Sequence, residues 1–94
     1  MRKVLICGSR DWTAHEPIRA WLSKLQDMGF DTVIEGEARG ADIIAREEAQ
    51  LLGFTVMPFP ANWRQFGRAA GPIRNRQMLD EQPELVLAFH EYIS

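Results

Sequence analysis

The chain has 94 residues, of which 46% are hydrophobic and 26% charged, and its formal net charge is −2. This length predicts one domain, near the lower size limit for a self-sufficient core. The acidic balance disfavours a general nucleic-acid binder, which is usually basic. No apolar run approaches the roughly 20 residues that span a bilayer, so a cytoplasmic location with no membrane partner is expected.

A single cysteine, Cys7, excludes an internal disulfide and leaves too few thiolates for a cysteine-based zinc site. Its place between Ile6 and Gly8 in an apolar run is typical of a small buried side chain. No cluster of side chains has the spacing of metal ligands. Neither a metal nor another cofactor is therefore expected.

The first predicted strand is "KVLICGS", from Lys3 to Ser9, a continuous apolar run typical of a strand buried on both faces. In "TAHEP", Thr13 precedes Glu16 by three residues, which indicates a capping box at the start of a helix. Apolar residues then recur at helical spacing from Ile18 to Met28. Gly29 is expected to end this first helix.

The second strand is predicted in "DTVIEG", and an apolar stripe predicts a second helix between Ala41 and Leu52. The two helices end alike, in "MGFDTVI" and "LGFTVMP", which indicates a repeated strand–helix unit. Pro58 and Pro60 are expected to close the third strand. These patterns place helices between successive strands, as in a parallel sheet.

A third helix is predicted to start at Pro72 and to end before Pro83, with Trp63 and Phe66 in the loop before it. "ELVLAFH" predicts the fourth strand. The expected fold is therefore α/β: a minimal Rossmann-like three-layer domain whose mainly parallel sheet has about four strands, in the order 3-2-1-4. Ligands of such sheets bind beyond the carboxyl ends of the strands.

Small and cationic residues follow the first strand at that edge, in "GSRDW". Gly8 and Ser9 would let a ligand approach the backbone, and Arg10 is a fixed cation. Trp12 has two interpretations, an aromatic ring packed against the domain edge or a flat surface on which a base stacks. The sequence does not separate them.

The turn "EGEARGAD" after the second strand is bracketed by two glycines, Gly36 and Gly40. Gly40 and Ala41 are expected to open a helix whose free N–H groups attract an anion, and Arg39 adds a forked donor. Asp42 is either an acid that favours the helix dipole or an acceptor for a ribose hydroxyl, with the first interpretation preferred. The turn matches neither the dinucleotide fingerprint nor the P-loop motif.

Between Ala61 and Leu79 there are four arginines and no acidic residue, which predicts a local anion site in an otherwise acidic chain. Arg74 and Asn75 are expected in the first turn of the third helix, where they could meet an anion. His90 ends the fourth strand at the same edge and could hydrogen-bond a ligand. A lone histidine at such a position is more often structural.

Taken in chain order, "GSRDW", "EGEARGADIIA", "PANWRQFGRAAGPIRNRQML" and "ELVLAFH" resemble the YspA/YpsA-related branch of the SLOG superfamily. The resemblance covers nearly the whole chain. It implies a Rossmann-like domain of bacteria or phages that binds a nucleotide or a nucleotide-derived ligand. The superfamily also contains LOG phosphoribohydrolases, which cleave nucleoside monophosphates at the N-glycosidic bond, and DprA, which binds single-stranded DNA.

The family motifs correspond to residues 8–10, 36–42 and 71–78, except that Glu37 replaces the common second glycine of the middle motif. Glu37 puts a negative side chain beside the expected anion loop. A segment of LOG enzymes that is similar to the third motif carries an active-site arginine, which points to Arg74 if this protein is an enzyme. Members usually continue into a Gly-Thr helix start and a fifth strand, but this sequence ends at Ser94 without the segment that supplies the LOG catalytic glutamate. Catalysis is therefore the less favoured interpretation.

The expected function is the binding of a nucleotide or nucleotide-derived small molecule at the carboxyl edge of the sheet, by a single domain over residues 1–94. The expected ligand-binding residues are Gly8, Ser9, Arg10, Trp12, Gly36, Arg39, Gly40, Ala41, Asp42, Arg74, Asn75 and His90. Gly40→Val is expected to weaken binding and to leave the fold intact.

Two other functions stay open: N-glycoside hydrolysis of a nucleoside monophosphate, and a single-stranded nucleic-acid module. The second would use Arg64, Arg68, Arg74 and Arg76, although the acidic total charge argues against it. The apolar edge "LVLAF" of the fourth strand predicts a homo-oligomer, most simply a two-fold dimer, whose interface uses either this strand or the arginine-rich helix.

Overall fold

Strands and helices alternate along residues 1–91, the part of the chain that this computed structural model describes. The strands are β1 (Lys3–Gly8), β2 (Thr32–Glu35), β3 (Thr55–Pro58) and β4 (Leu85–Phe89). The helices are α1 (Glu16–Asp27), α2 (Ala41–Leu52), α3 (Trp63–Phe66) and α4 (Ala70–Asp80). Over this described range, no helix has both the length and the apolar character needed to cross a membrane.

The strands form one parallel sheet in the order β3-β2-β1-β4. The predicted Rossmann-like α/β fold, its parallel sheet and the strand order 3-2-1-4 are therefore confirmed. β1 is central, since Val4 pairs with Val33 on one side and with Leu85 on the other. Val4 and Ile6 are buried in the core on one face of the sheet and Leu5 in the core on the other, so cover on both faces explains the uninterrupted apolar run of this strand.

The two faces of the sheet carry cores of unequal size. The larger core joins β1 and β2 to α1 and α2, and it includes Ile18, Leu22 and Ala45. The smaller core lies on the other face, where Met78 of α4 packs against Leu5 and Ile34. Helices on both faces leave the carboxyl edge of the strands open to a ligand.

The capping box predicted for the first helix is wrong. α1 begins at Glu16, and the residue before it, His15, already has helical backbone angles, so Thr13 lies too far upstream to cap the first turn. Instead, the buried carboxylate of Glu48 in α2 contacts His15 Nδ1 at 2.8 Å and accepts from Arg19 Nε at 2.7 Å. A contact between two helices therefore holds the end of α1, in place of a local cap.

The prediction that a loop precedes the third helix is also wrong. Trp63–Phe66 form the one-turn helix α3, because Asn62 Oδ1 caps it by accepting from the backbone N–H of Gln65 at 3.0 Å. A tight turn then leads directly into α4, which begins at Ala70. Pro72 thus lies inside the first turn of α4, where its missing N–H has no helical partner to lose. Arg74 and Asn75 consequently lie two residues further into the helix than predicted, in its second turn.

Candidate functional site

A cleft of about 460 Å³ opens at the carboxyl edge of the sheet. It is lined by Arg10, Gly36, Glu37, Ala38, Arg39, Pro60, Ala61, Trp63 and Arg74. We call it the arginine cleft, after Arg10, Arg39 and Arg74. The loops after β1, β2 and β3 and helices α3 and α4 all contribute to it, so it joins segments that are distant in the sequence.

A second cleft of about 260 Å³ adjoins the arginine cleft and shares Arg10, Ala38 and Arg74 with it. Its other lining residues are Cys7, Gly8, Asp42, Asn75, Met78 and His90. Eight of the twelve expected ligand-binding residues therefore line one cleft or the other. Those that line neither are Ser9, Trp12, Gly40 and Ala41.

The three guanidinium groups of the arginine cleft have few counter-charges. Arg74 Nη1 donates to the carbonyl oxygen of Gly36 at 2.6 Å and its Nε donates to Asn75 Oδ1 at 2.9 Å, so Arg74 is fixed by neutral groups. Arg39 contacts Asp11 at 3.4 Å, and both side chains are more than three-quarters exposed, so water screens this pair. Arg10 has no carboxylate within salt-bridge distance among residues 1–91. The cleft is consequently suited to an anion.

Asp42 shapes the turn after β2. Its buried Oδ2 accepts from the backbone N–H of Gly36 at 3.1 Å and from that of Ala38 at 3.4 Å. Burial raises the pKa of Asp42, and these two N–H groups, with the charges of Arg74 and Arg10, act in the opposite direction. The carboxyl of Asp42 thus holds the turn by binding its backbone, a role that neither sequence interpretation included.

The turn after β2 also packs against the loop after β1. The backbone N–H of Ala41 donates to the carbonyl oxygen of Ser9 at 3.1 Å, so the expectation that this N–H is free is wrong. Gly40 has φ +84°, and a Cβ added there would lie 2.7 Å from Arg10 Cα. The close neighbour that requires glycine at position 40 is therefore the protein's own backbone.

Ser9 and Trp12 both make contacts within the protein. Ser9 Oγ donates to Glu91 Oε1 at 2.6 Å and accepts from the backbone N–H of Asp11 at 3.0 Å. The Trp12 ring packs against Phe89 with 5.6 Å between centroids, and its Nε1 donates to the carbonyl oxygen of Ala14 at 2.6 Å. The structure thus favours the packing interpretation of Trp12.

Glu35 and Glu37, at the start of this turn, form a carboxyl–carboxylate pair that sequence analysis missed. Glu35 is completely buried, and its Oε1 accepts from the backbone N–H of Glu37 at 2.6 Å. Burial raises the pKa of Glu35 to about 8, and its hydrogen bond to the Glu37 side chain adds to the effect. The same bond and the Arg46 guanidinium, 2.8 Å away, lower the pKa of Glu37. Glu35 Oε2 and Glu37 Oε1 are buried and have no other hydrogen-bond partner, so a proton held on Glu35 at neutral pH would bridge the two carboxyl groups.

Trp63 is another residue of the arginine cleft that the sequence did not assign to ligand binding. Its side chain lines the arginine cleft, yet 51% of the residue is exposed. A Cβ added at Gly71 would lie 3.5 Å from Trp63 Cη2, so the ring rests near the start of α4. A tryptophan next to Arg64 in a segment without acids was the signal that could have identified it.

Comparison with known families gives a context for this geometry. The sequence profile of the YspA, cpYpsA-related SLOG family matches residues 2–66. The chain belongs to this SLOG family. The matched range contains the turns after β1 and β2 and ends before Arg74, Asn75 and His90.

This SLOG chain is also similar to a phage protein. It is 38% identical to the gene 61 protein of Mycobacterium phage D29 over an alignment of 96 positions, which covers 95% of this chain and 77% of the phage protein. No solved structure matches the chain at a significant level.

Glu37, where the resemblance to the family implies a glycine, has the backbone conformation of a glycine. Glu37 has φ +58°, in the left-handed region that glycine adopts without strain. Its backbone N–H, its carboxylate and Arg46 hold it there through the contacts with Glu35 and α2 described above. These bonds offset the backbone strain, and they direct the negative charge toward Arg46.

Proposed function

We propose that this SLOG domain binds a nucleotide or nucleotide-derived ligand in the arginine cleft. The observation that carries the proposal is the convergence of Arg10, Arg39 and Arg74, from three separate segments, on one cleft at the carboxyl edge of the sheet. Membership of the family, which implies a nucleotide-related ligand-binding domain, supports it. The phosphate of the ligand would lie against Arg10 and Arg74, because these two also line the adjoining cleft.

Arg74 is the best fixed of these groups. Its bond to the Gly36 carbonyl joins α4 to the turn after β2, and Asn75 orients the other side of the guanidinium. A cation held in place by neutral partners keeps its charge for a ligand, and a bound phosphate need not order it. Asn75 and His90 line the adjoining cleft and offer polar groups for the sugar.

Arg10→Ala is expected to weaken nucleotide binding about tenfold or more, because a charge-assisted hydrogen bond to phosphate is lost. The free energy of unfolding should change little, since Arg10 is exposed and has no ion pair among residues 1–91. Calorimetric titration with adenine and guanine nucleotides measures the affinity. Arg68→Ala is the matched control, because Arg68 is exposed and lines neither cleft. Equal affinities for the two variants would contradict the proposed site.

N-glycoside hydrolysis of a nucleoside monophosphate is the first alternative. It needs a carboxylate beside the glycosidic bond, and Glu37 is the acidic side chain that lines the arginine cleft. Its carboxylate is already bound by Arg46 and by Glu35, so we favour binding over hydrolysis. Chromatography of the AMP titration mixture separates the two, because hydrolysis would release free adenine.

A single-stranded nucleic-acid module is the second alternative, and one observation favours it. Trp63 and Phe66 are 51% and 39% exposed, and they flank the exposed Arg64. Exposed aromatic rings among arginines are typical of surfaces that stack successive bases. Binding of oligo-dT with a steep loss of affinity as salt rises would favour this function over the first.

We also propose that the protein is a two-fold dimer through β4. β1 pairs with one edge of this strand, and no strand within residues 1–91 pairs with the other. Val86 is 50% exposed and Leu79 of the neighbouring α4 is 55% exposed, which leaves apolar surface beside unpaired backbone groups. An antiparallel pairing centred on Leu87 would place Glu84 opposite His90 of the other copy, and the carboxylate could accept a hydrogen bond from the ring.

The dimer is expected to appear as twice the chain mass in light scattering at micromolar concentration. Val86→Lys should shift this mass toward the monomer, since two added charges would meet across the two-fold axis. Leu51→Lys is the control, because Leu51 is 79% exposed on α2, away from β4. A monomer mass for the unchanged protein across a dilution series would contradict the proposal.

A further inference from the structure

The arginine cleft is lined by more positive than negative side chains. Arg10, Arg39 and Arg74 bring three positive charges, and Glu37 brings one negative charge. That negative charge is paired with Arg46, which is not among the residues of the cleft. The contact of Arg39 with Asp11, at 3.4 Å between two highly exposed side chains, removes little of the excess.

The positive charges are spread along the cleft. Arg10 and Arg74 line both clefts and so mark their junction, whereas Arg39 lines only the larger one. A phosphate monoester carries about two negative charges at neutral pH, and one phosphate at the junction would leave Arg39 without a counter-charge. Asp42, which lines the adjoining cleft, already offsets part of the charge of Arg74 and Arg10, so the guanidinium group left without a counter-charge is that of Arg39. A second phosphate extending toward Arg39 would supply that charge.

Trp63 adds an apolar surface to the same cleft. α3 fixes its backbone through the Asn62 cap, and the ring rests near Gly71 at the start of α4. About half of Trp63 is exposed, so part of the indole is free to stack on a base. Pro60 and Ala61 continue this apolar wall, while the arginines and the turn after β2 form the polar lining.

From this arrangement we infer that the ligand is a nucleotide with a phosphate chain of at least two units, whose base stacks on Trp63. The inference rests on the proposed function and names the ligand class of the same site. The terminal phosphate lies toward Arg39 and the first phosphate lies between Arg10 and Arg74. The sequence had offered Trp12 for base stacking, but Trp12 packs on Phe89 and lines neither cleft.

Calorimetry of the purified protein with adenosine, AMP, ADP and pyrophosphate tests this inference, with guanine and uracil diphosphates titrated in parallel. At least one nucleoside diphosphate should bind about tenfold more tightly than its monophosphate, and the nucleoside should bind most weakly. Arg39→Ala should abolish the preference for the diphosphate and should leave the affinity for the monophosphate nearly unchanged. Arg64→Ala, a neighbour of Trp63 that does not line the cleft, should keep the preference.

Trp63→Ala should weaken binding of the preferred diphosphate about tenfold and leave the affinity for pyrophosphate unchanged, because pyrophosphate has no base to stack. Trp63→Phe should retain most of the affinity for the diphosphate. This result would distinguish a loss of stacking from a disturbance of α3. Trp21→Ala is the matched control, since Trp21 is 45% exposed on α1 and lines neither cleft.

The outcomes distinguish this inference from the function on which it rests. Equal or tighter binding of the monophosphate, still lost in Arg10→Ala, would overturn the phosphate-chain inference and leave nucleotide binding standing. A loss of pyrophosphate affinity in Trp63→Ala as large as the loss for the diphosphate would overturn the stacking role. No binding of any nucleotide by the folded protein would overturn both the inference and the proposed function.

Discussion

Gly40→Val is expected to destabilise the fold by roughly 3 kcal/mol or more, from backbone strain and overpacking together. Gly40 has φ +84° and ψ −129°, a combination that is almost restricted to glycine. A Cβ at this position would lie 2.6 Å from the carbonyl carbon of Arg10 and 2.7 Å from its Cα. Those neighbours are backbone atoms, so they cannot rotate away as a flexible side chain would. Urea unfolding followed by circular dichroism measures the loss.

Gly53→Val is the control for this prediction. Gly53 has nearly the same φ, +87°, but nothing lies within 4 Å of a Cβ added there. The loss of stability in Gly53→Val should come only from the strain of a left-handed residue, which is of order 1–2 kcal/mol. Equal losses in the two variants would show that the packing of Gly40 against Arg10 is unimportant. The expectation that Gly40→Val spares the fold was wrong, because it assumed that the space at Gly40 belonged to a ligand.

Glu35→Gln is expected to stabilise the protein by about 3 kcal/mol at pH 7. The pKa of Glu35 is raised from its ordinary value of 4.5 to about 8 in the folded chain, so folding at pH 7 requires this carboxyl to take up a proton. Glutamine has nearly the same shape and is neutral at every pH. Its amide could accept from the backbone N–H of Glu37 and donate to the Glu37 carboxylate, as protonated Glu35 does.

The stabilisation by Glu35→Gln is expected to increase as pH rises. Between pH 4.5 and 8 the folded chain holds a proton on Glu35 that the unfolded chain has released, so the stability contributed by this group falls as pH rises through that window. Below pH 4.5 both states are protonated, and the full contribution is present. Unfolding free energies at pH 5, 7 and 9 should therefore diverge progressively between the unchanged protein and Glu35→Gln.

Glu47→Gln provides the comparison, because it makes the same chemical change at an exposed position of α2. Its pH profile should follow that of the unchanged protein. Parallel profiles for Glu35→Gln and the unchanged protein from pH 5 to 9 would contradict a protonated Glu35.

The fold was predictable because its signals are local. The apolar run of β1 and the repeated endings "MGFDTVI" and "LGFTVMP" lie within short segments, and the preference for right-handed crossovers then limits the strand order to a few possibilities, one of which is observed. α3 was missed because a single helical turn is too short to show a hydrophobic period. The true start of α1 was missed because Glu48, which contacts His15 there, is 33 residues away in the sequence.

The candidate site was predictable as a set of segments but not as a set of contacts. The edge of the sheet brings Arg10, Arg39 and Arg74 together, as parallel topology requires. The sequence could not show that the Ala41 N–H is used by Ser9, because that bond depends on how two loops dock. The pairing of Glu35 with Glu37 likewise depends on a positive φ at Glu37, which side-chain identity does not reveal.

The unequal cores on the two faces of the sheet imply unequal local stability. α4 contributes Met78 to its small buried cluster, whereas α1 and α2 supply most of the helical side chains in the large one. A helix held by so few buried contacts opens at a lower free energy than the rest of the domain. Arg74 lies on that helix, and its hydrogen bond to the Gly36 carbonyl connects α4 to the turn after β2 across the cleft. A bound anion would add a second connection through Arg74. Ligand binding in the cleft is therefore expected to slow amide hydrogen exchange along α4 and to leave the exchange rates of α1 and α2 unchanged.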